Sequence, residues 1–169
     1  IDMKYDVMII GSGPGGYAAA VRAAQLGFNT AVVERENLGG ICLNWGCIPT
    51  KALLKSAQAY NYIKHSADYG VQIEGSFKAD MNAIVDRSRG VSANMGKGVA
   101  HLMQKNNITV IEGEAKLTSD RKVSVNMKDG SGEQVFEADH IILATGARSR
   151  NLPNMPQDGK KIIGYREAM

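Results

Sequence analysis

The sequence predicts an α/β fold in which helices connect the strands of a parallel β-sheet. Two short apolar runs, Tyr5–Ile10 and Thr30–Glu34, support this prediction. Strands that are buried on both faces of a parallel sheet are nearly continuously apolar. Between the two runs lies Tyr17–Leu26, which is rich in alanine and other helix formers. A strand, a helix and a second strand within about 30 residues form a βαβ unit.

The middle of the chain predicts two further helices. The first is expected over Lys51–Tyr69, after the glycine-, cysteine- and asparagine-rich stretch Glu36–Thr50, which we expect to be irregular at first. The second is expected to begin after an N-cap at Asp80 and to run to about Lys105, because its apolar residues keep a spacing of three or four.

Four further strands are predicted in the second half of the chain. Ile108–Glu112 and Ile141–Thr145 are short apolar runs that extend the parallel sheet. Lys122–Met127 and Gln134–Ala138 flank an Asp129–Gly132 turn, which predicts an antiparallel pair. From Gly146 onward the chain is rich in turn residues.

Composition excludes several classes of protein. A chain of 169 residues has the length of one domain, and 44% apolar with 22% charged residues argues against disorder. A net charge of +3 gives no reason to expect nucleic acid or an anionic membrane as a partner. No apolar run approaches the length of a membrane span, and two cysteines are too few for a disulfide framework. We therefore expect a cytoplasmic protein or one of a related reducing compartment.

A glycine loop follows the first predicted strand. Its sequence matches GxGxxG, and the strand before it and the helix after it are the context in which this pattern binds a dinucleotide. The first glycine permits the tight turn, the second lets the backbone approach a pyrophosphate, and the last allows the helix to pack on the sheet. The helix N-terminus offers free N–H groups to the phosphates. The predicted cofactor-binding residues of the loop are Gly11, Ser12, Gly13, Pro14, Gly15 and Gly16.

An acidic residue completes this pattern. Glu34 ends the second predicted strand, eighteen residues beyond Gly16, where a carboxylate accepts hydrogen bonds from a ribose diol. Its negative charge disfavours a 2′-phosphate, so FAD or NAD is favoured over NADP. The alternative is a glycine turn in an unrelated α/β protein.

The two cysteines, Cys42 and Cys47, lie five residues apart. On an ideal helix that spacing separates the Cα atoms by about 8–9 Å, whereas a disulfide needs less than about 7 Å. A bridge therefore requires a distorted turn, which Gly46 would allow. Three interpretations remain open: two buried free thiols, half of a zinc site, and a redox-active disulfide beside a flavin. The three histidines form no ligand pair for a zinc site.

The cysteine segment resembles a known active site. Gly39–Lys51 reads GGICLNWGCIPTK and resembles the GGxCxNxGCxPxK pattern of the pyridine nucleotide–disulfide oxidoreductases. Its flanks most resemble the branch of that family that oxidises dihydrolipoamide. Ile41 and Trp45 depart from a commonly seen threonine and valine, and neither change removes a group that the chemistry needs. Together with Ala144–Gly146, the resemblance covers nearly the whole chain. It implies a Rossmann-like FAD-binding domain with a helical insertion that carries the disulfide and a small antiparallel β-meander.

The resemblance also implies which residues contact FAD. Glu34 would bind the adenosine ribose with Arg35 nearby, and Lys51 would lie near flavin N5. The remaining implied contacts approach the pyrophosphate, the flavin or the adenine side, and they are Gly40, Cys42, Gly113, Ala115, Ala144, Thr145 and Gly146. No metal is expected.

The implied chemistry is disulfide exchange. A dithiol substrate attacks Cys42, and Cys47, which is nearer the flavin, is released as a thiolate; NAD⁺ is the final acceptor. The acid–base histidine of the family lies in a C-terminal interface domain, so we do not assign that role to His65, His101 or His140.

The resemblance further implies that this chain is one portion of a longer enzyme. Residues 1–150 would be the first segment of the FAD domain, and residues 151–169 would lead toward an NAD domain that is absent from this sequence. The chain alone is expected not to turn over with NAD⁺. The implied partners are lipoyl domains of 2-oxo-acid dehydrogenase complexes and a second copy in a homodimer, in the cytoplasm or the mitochondrial matrix. The alternatives are a glutathione or mercuric reductase and a non-catalytic FAD-binding electron-transfer module.

Overall fold

The computed structural model describes residues 4–118 and 121–169. Its five strands are β1 Lys4–Ile10, β2 Thr30–Glu34, β3 Thr109–Leu117, β4 Lys122–Met127 and β5 Glu133–Leu143. Its α-helices are α1 Pro14–Gln25, α2 Gly40–Trp45, α3 Cys47–Lys64, α4 Met81–Lys105 and α5 Tyr165–Ala168, and a 3₁₀ turn covers Ser66–Tyr69. Among the described residues, no helix is both long enough and apolar enough to cross a membrane.

The five strands form a closed ring. Two of them, β3 and β5, take part in both its parallel and its antiparallel portion. β1 pairs in parallel with β2 and β5, and β2 pairs in parallel with β3. β3 and β5 then continue beyond this parallel sheet and pair antiparallel with β4. The predicted parallel sheet and antiparallel meander are therefore confirmed, and the shared strands join them into one barrel.

The alternating side chains of β1 separate two apolar clusters. Met8 and Ile10 point into the ring, where they pack with Phe136 of β5. Val7 and Ile9 point outward against the helices, where they pack with Ala20 of α1 and its neighbours. Small alanines on α1 let this helix lie close to the sheet.

The last strand corrects a prediction. The sequence predicts separate strands over Gln134–Ala138 and Ile141–Thr145, but the chain forms the single strand β5, which ends at Leu143. The polar residues Asp139 and His140 between them stay extended because β1 pairs along this stretch, and Asp139 forms an ion pair with Lys4 at 2.9 Å.

Several helix boundaries also differ from the predictions. α1 begins at Pro14 rather than Tyr17, because the fixed φ of proline suits the first position of a helix. The stretch expected to be irregular contains α2 and the start of α3. The single helix expected over Lys51–Tyr69 ends at Lys64 and continues as the short 3₁₀ turn. The N-cap at Asp80 is confirmed, since its Oδ1 accepts a hydrogen bond from the Ala83 amide at 3.1 Å.

Candidate active site

A cavity of about 480 Å³ opens where β1, β2 and β5 reach their carboxyl ends. This volume lies within the roughly 300–1,000 Å³ typical of small-molecule sites. The structure brings most of the predicted site residues to its wall, namely Gly11, Ser12, Gly13, Pro14, Glu34, Arg35, Gly40, Cys42, Cys47, Gly113, Ala115, Ala144, Thr145 and Gly146. Gly15, Gly16 and Lys51 are not among the lining residues.

Two glycines of the loop are required by close backbone contacts. Gly11 has φ +98°, and a Cβ there would overlap the carbonyl of Ala144. Gly16 lies in the first turn of α1, and its Cβ would overlap the carbonyl of Gly11. Gly16 therefore lets α1 approach the end of β1, which is the packing role expected for it. At Gly13, by contrast, a Cβ would meet nothing within 4 Å.

Glu34 holds the glycine loop in place. Its Oε2 accepts hydrogen bonds from the amide and the hydroxyl of the fully buried Ser12, at 3.0 and 2.6 Å. Its Oε1 accepts one from the Glu36 amide at 2.8 Å. A carboxylate oxygen has two lone pairs, so Oε1 can still accept one further donor from a ligand. Sequence reasoning missed the Ser12–Glu34 contact, although the pairing of a loop serine with a strand-end acid was available as a signal.

Cys42 and Cys47 form a disulfide, which excludes two free thiols and half of a zinc site. Their Cα atoms are 4.7 Å apart, much closer than on a continuous helix. Gly46 separates α2 from α3, and a Cβ there would lie only 3.1 Å from the Ile41 carbonyl oxygen. The expected distortion at Gly46 is confirmed. No group of three possible metal ligands occurs within the described ranges.

The two sulfurs have different surroundings. Cys47 is exposed and is the first residue of α3, an 18-residue helix, whereas Cys42 is half-buried in the middle of α2. Backbone N–H groups at a helix start lack partners within the helix and carry partial positive charge. The N-terminus of α3 would therefore stabilise a thiolate formed on Cys47.

Lys51 and the three histidines, to which no catalytic role is assigned, are not among the residues that line the cavity. Lys51 is exposed on the first turns of α3. His65 is exposed at the C-cap of α3, and its Nδ1 lies 3.0 Å from the carbonyl oxygen of Asn61 in that helix. His101 and His140 are exposed on α4 and β5.

The C-terminal segment contributes residues that sequence reasoning missed. Arg166 lies on the cavity wall, where its Nη2 is 2.7 Å from Glu36 Oε2 and its guanidinium carbon is 4.0 Å from the centre of the Trp45 ring. The hydrogen bond from Arg166 lowers the pKa of the Glu36 carboxyl. The Thr50 hydroxyl donates to the Met169 sulfur at 3.2 Å. Contacts across more than one hundred residues leave no signal in a local sequence pattern.

A glycine loop and a disulfide that share one cavity define a class of dinucleotide-dependent disulfide oxidoreductases. Residues 5–168 match the family described as "Pyridine nucleotide-disulphide oxidoreductase", and the chain belongs to this family.

Individual relatives carry a more specific name. The chain is 54% identical to a dihydrolipoyl dehydrogenase of Rhizobium etli and 48% identical to one of Zymomonas mobilis, in each case over 98% of its own length. It covers 37% and 35% of those two proteins, so it spans about a third of the curated relatives that it matches. Among solved structures, LpdA from Mycobacterium tuberculosis aligns with a TM-score of 0.84 and 25% identity, over 98% of this chain and 36% of LpdA.

Proposed function

We propose that this chain is the first part of the FAD domain of an enzyme that oxidises protein-bound dihydrolipoamide and reduces NAD⁺. The observation that carries the proposal is that the Cys42–Cys47 disulfide and the glycine loop line the same cavity. The names of the relatives from Rhizobium etli and Zymomonas mobilis support dihydrolipoamide as the substrate.

The residues of the cavity fit an FAD molecule. A Cβ on Gly40, at φ +58°, would lie 2.8 Å from Gly13 Cα, so bare backbone forms this part of the wall. The N-terminus of α1 offers N–H groups to a pyrophosphate, and Glu34 Oε1 can accept one ribose hydroxyl. The glycine loop, Glu34 and Gly40 would therefore hold the cofactor, with Arg35, Gly113, Ala115 and Thr145 on the surrounding wall. When bound, FAD supplies two-electron transfer between a dithiol and a nicotinamide.

The disulfide accepts the two electrons of the substrate by thiol exchange. One substrate thiolate attacks Cys42 Sγ, a mixed disulfide forms, and the Cys42–Cys47 bond breaks with Cys47 leaving as a thiolate. The second substrate thiol then displaces Cys42, which releases a cyclic disulfide and leaves both cysteines reduced. The start of α3 favours Cys47 as the leaving thiolate, since it stabilises negative charge there.

The remaining parts of the reaction belong to the longer protein. We propose that NAD⁺, the acid–base histidine and the second copy of a homodimer act through segments beyond these residues, because the relatives are about three times as long. Lipoyl domains of 2-oxo-acid dehydrogenase complexes would be the protein partners. The bacterial relatives and the mitochondrial relatives of Arabidopsis and pea favour the cytoplasm or the mitochondrial matrix.

The proposal is tested with Cys42→Ser and Cys47→Ser in the full-length protein. NADH formation from dihydrolipoamide should be lost in both variants, while FAD stays bound and NADH still reduces an artificial acceptor that needs no disulfide. Dihydrolipoamide oxidation at the wild-type rate in Cys47→Ser would refute the proposal. A preference for glutathione disulfide with NADPH over lipoamide would leave the disulfide chemistry intact and overturn the substrate.

A further inference from the structure

The helix that carries Cys42 is too short to hold itself in place. α2 has six residues and lies between Gly39 and Gly46. Isolated helices shorter than about 12–15 residues are marginal in water, because nucleation is unfavourable. While the disulfide is intact, its bond to Cys47 attaches α2 to the longer helix α3. When the disulfide is reduced, α2 stays joined to α3 only through the backbone at Gly46, and its packing through Leu43 and its other contacts must keep Cys42 in position.

A side chain from α4 provides such a contact. Arg89 donates from Nη1 to the carbonyl oxygen of Asn44 at 2.9 Å, in the last turn of α2. Carbonyls in the last turn of a helix have no partner within it, and a cation there is favourable. The side-chain amide of Asn44 in turn donates from Nδ2 to the carbonyls of Gly40, at 2.8 Å, and Leu38, at 3.1 Å. Arg89 thus supports a residue that itself ties together both ends of α2.

Among the described residues, the hydrogen bond to Asn44 is the only one that the guanidinium of Arg89 donates. Its Nε and Nη2 atoms are buried and have no hydrogen-bond partner within the described ranges. No carboxylate forms an ion pair with Arg89 among those residues. Burying charged nitrogens without a hydrogen-bond partner is unfavourable, so the placement of this half-buried side chain does not by itself stabilise the fold.

We propose that Arg89 is a positioning residue that keeps Cys42 within bonding reach of Cys47 after the disulfide is reduced. The hydrogen bond to Asn44 comes from a separate helix and does not depend on the sulfur–sulfur bond. It therefore limits how far α2 can move in the dithiol form and raises the effective concentration of one thiol at the other. The inference rests on the proposed function in one respect, namely that Cys42 and Cys47 alternate between the disulfide and the dithiol.

A neighbouring arginine offers a matched control. Arg87 also reaches from α4 to a backbone carbonyl, donating from Nη1 to Ala52 of α3 at 2.9 Å. It differs because α3 has 18 residues and maintains its own hydrogen bonds. Removing Arg87 should therefore leave Cys47 where it is, while removing Arg89 should weaken the restraint on the position of Cys42.

The test is the exchange equilibrium with glutathione, in which the protein disulfide and two glutathione thiols give the protein dithiol and one glutathione disulfide. It is measured at pH 7 by alkylation and mass spectrometry on the full-length protein. Arg89→Met should shift the equilibrium about tenfold toward the dithiol, because α2 is then less restrained in the reduced protein and the effective concentration of one thiol at the other falls. Arg89→Lys, which keeps a charged donor, should shift it less, and Arg87→Met should stay within about twofold of wild type.

Two results would overturn the inference. One is an Arg89→Met equilibrium equal to that of wild type, and the other is an equal shift in Arg87→Met. If Arg89→Met does not fold, hydrogen exchange of the wild-type protein decides the question. The amides of α2 should stay protected after reduction, and loss of their protection would refute the inference. An Arg89-dependent equilibrium without NAD-linked oxidation of dihydrolipoamide would support this inference while refuting the proposed function.

Discussion

The packing of α1 on the end of β1 makes Gly16→Ala a sharp test of the fold around the cavity. The new Cβ would overlap the Gly11 carbonyl oxygen and lie 3.4 Å from the Ala144 Cβ. The Gly11 carbonyl belongs to the backbone, and the backbone fixes the position of the Ala144 Cβ. Because neither group can turn aside, the start of α1 must move. Overpacking of this kind costs about 1–3 kcal/mol. Replacing glycine by alanine within a helix stabilises the folded state by about 0.5–1 kcal/mol, which offsets part of this cost. We therefore expect the free energy of unfolding to fall by about 1–2 kcal/mol.

The adjacent glycine provides the control. Gly15 occupies the same turn of α1, and a Cβ there would meet nothing within 4 Å. Gly15→Ala should therefore be neutral or stabilising by a few tenths of a kcal/mol. In thermal unfolding, each kcal/mol corresponds to about 2–4 °C for a chain of this size. Gly16→Ala should unfold several degrees below Gly15→Ala, and equal midpoints would refute the packing argument.

Two further predictions concern charged side chains. The pKa of Glu36 is lowered by Arg166, so the pair stabilises the folded state above the ordinary carboxyl pKa of about 4.3 and loses this effect as the pH falls through the lowered value. Glu36→Gln should therefore reduce the unfolding midpoint at pH 7 and reduce it progressively less as the pH falls below the ordinary carboxyl pKa; a pH-independent difference would contradict this. Asp80→Ala should remove the N-cap of α4 and cost about 1 kcal/mol in urea unfolding, while Asp86→Ala within the helix should not. Equal losses in the two aspartate variants would contradict the capping role.

The parts of the fold that the sequence predicts are those that depend on local patterns. The βαβ unit, the glycine loop and the cap at Asp80 each follow from neighbouring residues. The distortion at Gly46 follows from a distance, because two cysteines five apart cannot bridge on a regular helix.

The parts that the sequence does not predict depend on distant contacts. α2 forms in a glycine-rich stretch with little helix propensity, and Arg89, 45 residues away, supports it. β5 remains one strand through Asp139 because β1 pairs beside it. Arg166 meets Glu36 from a position 130 residues further along the chain. No periodicity or motif within a short window contains these relationships.

We propose above all that Cys42 and Cys47 take up the electrons of a dithiol beside the cavity that the glycine loop lines. The most direct measurement is anaerobic incubation of the full-length protein with dihydrolipoamide without NAD⁺, followed by alkylation and mass spectrometry of the peptide that contains both cysteines. We predict that both cysteines become alkylated and that later addition of NAD⁺ restores the disulfide. Cysteines that stay paired in dihydrolipoamide, while NADH forms once NAD⁺ is added, would contradict the claim.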